Sequence, residues 1–211
     1  MGDERETAAE PSLLEGALAD SRALGLLGPG PLAPQLDHAR AFVRALPAGV
    51  EFLDLGSGGG LPALVILAER ADVRGVLLDA TQRRCDFLQD ACERLGLVGR
   101  AEVVCARAED AARDPDWRER FDAVTARSFG PPAVTAECAV GFLRAGGEIL
   151  VSEPPEPDAD RWPADGLARL GLVAGPVPEA MPAHLVRLRA VAPLESRWPR
   201  RVGIPRKRPL W

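Results

Sequence analysis

The chain has 211 residues, a net charge of −5, 46% hydrophobic and 27% charged side chains, which is the balance of one globular domain with a short extension. No apolar run approaches the roughly 20 residues of a membrane span, and the polar, acidic residues 1–10 lack the basic start and apolar stretch of a secretory signal. A cytoplasmic protein without a membrane partner is expected.

Residues 1–11 have the composition of a disordered segment. From Ser12, a candidate N-cap, to Leu27 the apolar residues Leu13, Leu14, Ala17, Leu18 and Leu24 recur at helical spacing, and Gly28-Pro29-Gly30-Pro31 ends the run. Pro34 to Leu46 predicts a second helix, with Leu36, Ala39, Phe42, Val43 and Leu46 on one face. Strand and helix then alternate. Val50–Leu55 reads as a strand, Leu61–Arg70 as a helix, Gly75–Asp79 as a strand and Thr81–Leu95 as a helix. Ala101–Cys105 and Phe121–Ala126 are further strands, and a helix follows Gly130-Pro131-Pro132, where proline suits the first helical position. Gly146-Gly147 reads as a turn into a fifth strand, Glu148–Ser152, followed by a helix near Ala164–Leu170 and strands near Gly171–Ala174 and His184–Val191. This order predicts a Rossmann-like α/β domain, a mostly parallel sheet with helices on both faces. The division is a helical extension (1–47), an α/β domain (48–195) and a basic tail (196–211).

Asp54-Leu55-Gly56-Ser57-Gly58-Gly59-Gly60 sits at the first strand-to-helix turn. Glycines there let backbone approach a ligand closely. A dinucleotide and S-adenosylmethionine both suit such a turn, and Asp54 separates them. A carboxylate suits a cationic amino-acid group and repels pyrophosphate, and D-x-G-x-G-x-G is the methyltransferase spacing. Asp54, Gly56, Ser57, Gly58 and Gly60 are therefore candidate S-adenosylmethionine contacts. Asp79, ending the second strand, is placed to accept from ribose hydroxyls; its alternative is a cap for the helix that follows. In Arg107-Ala108-Glu109-Asp110, the Ala108 backbone and the Glu109 side chain are candidates for the adenine, Asp110 comes second, and a solvated loop acid is the other reading.

Arg127-Ser128-Phe129-Gly130-Pro131-Pro132 ends the fourth strand, where open α/β folds meet their substrates. Amine methyltransferases carry Asn or Asp where Arg127 stands, which argues against adenine-N6 chemistry. Phe129 suits stacking on a planar acceptor. Arg127 suits donation to a carbonyl oxygen or a phosphate, its other reading is a helix cap or a pair with an acid, and it is also counted among the candidate cofactor contacts. Cys85, Cys92, Cys105 and Cys138 contain no C-x-x-C pair, and with His38 and His184 as the two histidines no metal site is expected. The acidic total argues against nucleic acid, but Arg197 to Trp211 holds six cations and no acid, and it contains Lys207, the one lysine.

These segments together resemble the glucose-inhibited division protein B family. The likeness runs from about Phe52 to Leu210, through Asp54–Pro62, Arg83–Leu95, Thr125-Ala126-Arg127-Ser128-Phe129, His184-Leu185-Val186 and above all the tail from Arg197 to Leu210. The resemblance implies S-adenosylmethionine-dependent transfer to a guanine N7 of small-subunit ribosomal RNA, with that RNA or subunit as partner and Arg197, Arg200, Arg201 and Lys207 on its phosphates. The other reading of the tail is that Trp198 and the prolines pack it on the domain. Two segments depart from the family. Val151-Ser152-Glu153-Pro154-Pro155 stands where Leu-Lys-Gly is usual, and no Trp-Asn…Asn-Leu-Thr segment occurs between Ser12 and Leu46. That is the pattern of a divergent paralogue. The alternatives are a methyltransferase for a small metabolite, with Glu153 facing the acceptor, and a ribosome-binding relative without activity. N7 already carries a lone pair, so no histidine or lysine base is expected at the site.

Overall fold

The computed structural model describes residues 12–175 and 184–211; the segment expected to be disordered, 1–11, lies outside them. Two helices, α1 (Leu13–Ala23) and α2 (Leu32–Ala45), precede the alternating part. There β1 (Glu51–Leu55), α3 (Ala63–Glu69), β2 (Arg74–Asp79), α4 (Gln82–Arg94), β3 (Ala101–Cys105), α5 (Ala108–Ala111), β4 (Phe121–Ala126), α6 (Pro132–Val140) and β5 (Leu143–Ser152) follow in turn. A 3-10 turn at Ala159–Arg161, α7 (Ala164–Ala168), β6 (Leu172–Gly175), β7 (Leu185–Ala190) and α8 (Ile204–Lys207) complete the described residues.

The seven strands form one sheet in the order β3-β2-β1-β4-β5-β7-β6. Strands β1 to β5 pair in parallel, while β7 runs antiparallel between β5 and β6. The order steps outward from β1 to β3 and resumes on the other side of β1 with β4. That reversal opens a crevice above the carboxyl ends of β1 and β4. Successive strand residues point to opposite faces. Leu53, Leu55, Val124 and Ile149 therefore join the core under α6 and the tail. Phe52, Leu77, Ala123 and Leu150 join the core under α2, α3 and α4.

Ser12 caps α1 through a reciprocal capping box with Glu15. The helix ends at Ala23, short of the expected Leu27, because Gly25 enters the left-handed region and Leu26 N–H returns to the Ser21 carbonyl. The last carbonyls of α2 are met from the sheet domain, Val43 and Leu46 by Arg70 and Ala45 by Arg187. The expected turn at Gly146-Gly147 lies inside β5: Gly146 has φ +77 and the register with β4 shifts between Phe121 and Ala123, so the glycines form a bulge in one long strand. The short helices α5 and α8 carry too few periodic residues to stand out in the sequence. Among the described residues, no helix is long and apolar enough to cross a membrane.

Candidate functional site: two cavities sharing one wall

The glycine turn is clamped to the end of β2. Gly56 and Ser57 N–H both donate to the Leu78 carbonyl, at 2.8 and 3.0 Å, and Gly58 N–H donates to Asp79 Oδ2 at 3.0 Å. The Ser57 hydroxyl donates to the Asp54 carbonyl. Asp79 Oδ1 accepts from Thr81 N–H at 2.9 Å, and Arg84 Nη1 lies 3.4 Å from Oδ2. Asp79 thus does what its alternative reading required, anchoring the start of α4, while still facing the cavity beside the turn.

Gly56 and Gly58 hold φ of +72 and +54. A Cβ on Gly56 would lie 2.7 Å from the Phe129 ring. Gly59 is packed from the other side by the extension. Ser21 Oγ donates to its carbonyl at 2.9 Å, and a Cβ there would meet Ser21, Leu27 and the Leu26 carbonyl within 3 Å. Gly60 is directed at Leu64, into the core.

Asp54 is a buried acid at the start of the glycine turn. It is 1% exposed, and burial raises its pKa to about 6, against the hydrogen bonds from Thr125 and Ser57 and the nearby positive charge of Arg127. Thr125 Oγ1 donates to Oδ1 at 2.6 Å, while Oδ2 is buried with no partner among the described residues. A buried carboxylate oxygen without a donor is a standing cost, and an ammonium group placed against it removes that cost. The donor set therefore fits the amino-acid end of S-adenosylmethionine.

Beside the turn a cavity of about 240 Å³ is lined by Gly56, Asp79, Ala108, Glu109, Phe129 and Arg206, among others. The Ala108 N–H belongs to the first turn of α5, where no intrahelical acceptor exists. Glu109 is committed on one side, because its Oε1 accepts from Gly203 N–H at 2.9 Å. A second cavity, about 430 Å³, lies over β4 and β5 and is lined by His38, Arg127, Phe129, Glu153, Arg161 and Trp162, among others. The two share Ser128, Phe129 and Gly130, so one wall divides them.

A family model described as GidB, rRNA small subunit methyltransferase G, matches residues 36–156. A ribosomal RNA small subunit methyltransferase G from Rubrobacter xylanophilus is 36% identical over 186 residues, 83% of this chain and 71% of that protein. The same-named protein from Fervidobacterium nodosum is 30% identical over 187 residues, 82% of this chain and 87% of its own length. The chain belongs to this family. It is an S-adenosylmethionine-dependent methyltransferase. Solved structures agree on the fold. The O-methyltransferase from Bacillus cereus in complex with S-adenosylhomocysteine superposes with a TM-score of 0.56, at 18% identity, over 89% of this chain and 94% of that one. The S-adenosylmethionine-dependent O-methyltransferase from Thermotoga maritima gives 0.55, at 17% identity, over 88% and 73%.

Arg127 lines the larger cavity. Burial pulls its pKa below the ordinary guanidinium value, while the Asp54 carboxylate opposes that shift. Its Nη2 makes one long contact, 3.5 Å, to Gln35 Oε1 on α2.

The tail divides the four cations expected on phosphate. Arg200 is turned inward: its backbone N–H, Nε and Nη2 all donate to Glu137, which is fully buried, so this residue braces the tail and is not offered to a phosphate. Arg197 pairs with Glu195 and lies over the Trp198 ring, itself in the core. Arg201 and Lys207 are exposed. Packing on the domain, the alternative reading of the tail, therefore describes Trp198, Pro199 and Arg200, whereas Arg201 and Lys207 face outward.

Sequence reasoning missed His38, Glu153 as a buried group, and Trp162. Docking of α2 brings His38 onto the larger cavity, although no histidine base is expected at the site. Burial and the neighbouring charges of Arg127 and His184 lower its pKa. No spacing in the sequence could carry that contact, which is made between the extension and the sheet.

Proposed function

We propose that this methyltransferase acts in the cytoplasm on a guanine N7 of small-subunit ribosomal RNA. One observation carries the reading: a cofactor cavity and a larger acceptor cavity meet across Phe129, with Arg127 lining the acceptor side. When bound, S-adenosylmethionine supplies an electrophilic methyl group on a sulfonium sulfur. Asp54 Oδ2 is the acceptor for its ammonium and Asp79 for its ribose, while the Ala108 N–H donates to a ring nitrogen of its adenine and Glu109 accepts from the exocyclic amine.

The larger cavity has room for a base swung out of its stack. Phe129 offers a ring for stacking, and Arg127 a donor for O6, which lies beside N7 on the same guanine edge. N7 attacks with its own lone pair, so positioning and alignment supply most of the rate. Arg201 and Lys207, both exposed, are the cations assigned to phosphate. The names of the relatives, all ribosomal RNA small subunit methyltransferase G, support the same acceptor.

The test is to incubate the enzyme with labelled S-adenosylmethionine and either small ribosomal subunits or a metabolite extract. Label recovered as 7-methylguanosine after nuclease digestion is the expected result. Label confined to a small metabolite would replace this reading.

A further inference from the structure

Three polar atoms around the larger cavity are buried and unpartnered among the described residues: His38 Nε2, Glu153 Oε1 and Trp162 Nε1. Glu153 stands out among them. Its side chain is 5% exposed, its backbone N–H is fixed to the His184 carbonyl, and its Oε2 accepts from Arg161 Nε at 2.9 Å. Arg161 is held in turn, because Trp211 Nε1 donates to its carbonyl at 3.0 Å. One carboxylate oxygen is therefore anchored and the other is left open in a buried wall. An open oxygen of this kind costs folding free energy unless a ligand donor meets it.

We propose that Glu153 Oε1 reads the acceptor base by accepting from the N1–H and N2 amino donors of guanine. This rests on the proposed function above. Guanine is the one standard base with two adjacent donors on its Watson–Crick edge. Adenine and cytosine place a lone pair there, which a carboxylate repels, and uracil flanks its single donor with two carbonyl oxygens. Placement agrees. Glu153 follows β5 and Arg127 follows β4, and neighbouring strands stand about 4.8 Å apart. With N7 turned toward the glycine turn at β1, the N1 edge of the purine points away from it, toward β5.

The same contact acts on the rate. As the N7 lone pair forms the new bond to carbon, the carbon–sulfur bond breaks and its electron pair stays on sulfur. The positive charge of the sulfonium passes to the purine. A carboxylate against N1–H favours that developing cation more than it favours neutral guanine, so Glu153 stabilises the transition state more than the ground state.

The experiment uses the full chain and a small-subunit RNA fragment carrying either guanosine or inosine at the methylated position. Inosine keeps N7 and O6 and lacks the N2 amino group. Wild type is expected to lose about tenfold in kcat/KM on inosine, within the range for one good base contact. Glu153→Ala is expected to be slow on both RNAs and nearly indifferent between them. Glu153→Gln, which preserves shape, is expected to lower kcat more than KM, and it supplies the comparison should the alanine variant fail to fold. Unchanged S-adenosylhomocysteine affinity in both variants separates the effect from damage to the cofactor cavity. An equal inosine penalty in wild type and variant would overturn this inference and leave the proposed function standing. Failure of wild type to label any RNA would overturn both.

Discussion

Arg200 meets Glu137 with main chain and side chain together, its N, Nε and Nη2 donating across 2.9, 2.8 and 2.6 Å to a carboxylate fully withdrawn from water. Removing one partner strands the other charge in the core, which costs about 3–5 kcal/mol. Arg200→Ala should therefore lower the urea midpoint strongly, while Arg200→Met with Glu137→Leu recovers most of it. A variant that melts like wild type would show that the tail does not depend on this pair.

Arg201 and Lys207 should behave differently. Each is exposed, so alanine substitution is expected to leave the melting temperature nearly unchanged. If they hold phosphates, each loss flattens the log–log salt dependence of RNA binding by about 0.7 on single strands. Salt titrations of the two variants beside wild type read this directly, and an unchanged slope would remove both from the RNA contact.

Asp54 links cofactor binding to pH. Folding raises its pKa from 3.8 to about 6, so the folded state holds this proton more tightly than the unfolded chain. Stability is lost as pH rises from about 4 through 6, reaching about 3 kcal/mol at neutral pH. Asp54→Asn removes that cost. The ligand-free variant should melt above wild type at about pH 7.5 and close to it at about pH 4. Binding should move the other way. The variant loses about 1–3 kcal/mol for S-adenosylhomocysteine, and wild-type affinity falls as pH drops through about 6. Calorimetry across that range checks both signs.

Arg127→Ala is expected to reduce methyl transfer at saturating cofactor far more than it reduces S-adenosylhomocysteine affinity, because Arg127 lines the acceptor cavity and not the cavity beside Asp79. Loss of cofactor affinity with full turnover at saturation would reassign it to the methyl donor.

Gly56→Ala should abolish cofactor binding, since its Cβ would lie 2.7 Å from Phe129 and the residue sits at φ +72. Adding Phe129→Ala relieves the contact but not the backbone strain, so binding is expected to return only in part and methyl transfer not at all.

What could be read from the sequence was what local chemistry repeats. The glycine turn with its preceding acid, the strand ends at Asp79 and Ala126, and the period of the helices all sit within short windows of the chain. Gly146-Gly147 misled because a bulge and a turn use the same residues, and only the pairing partner distinguishes them. His38 comes from α2 to meet Glu153 and Trp162, more than a hundred residues further along the chain. The inward turn of Arg200 depends on Glu137, 63 residues away. Charge alone made Arg197, Arg200, Arg201 and Lys207 look alike, and burial separates them.

Ser21 and Gly59 make α1 a reporter for events at the methyl-donor turn. No residue of the helix lines the cofactor cavity, yet the Ser21 hydroxyl and the Leu26 carbonyl fill the space behind Gly59. For α1 to peel away, the turn must lose its backing, so a ligand that needs the turn in place resists the opening. At a ligand concentration one hundred times Kd that resistance amounts to about 2.7 kcal/mol. Amide hydrogens of α1 that exchange through this opening should then slow by about a hundredfold. The clock of the first helix would thus register the filling of a cavity it does not line.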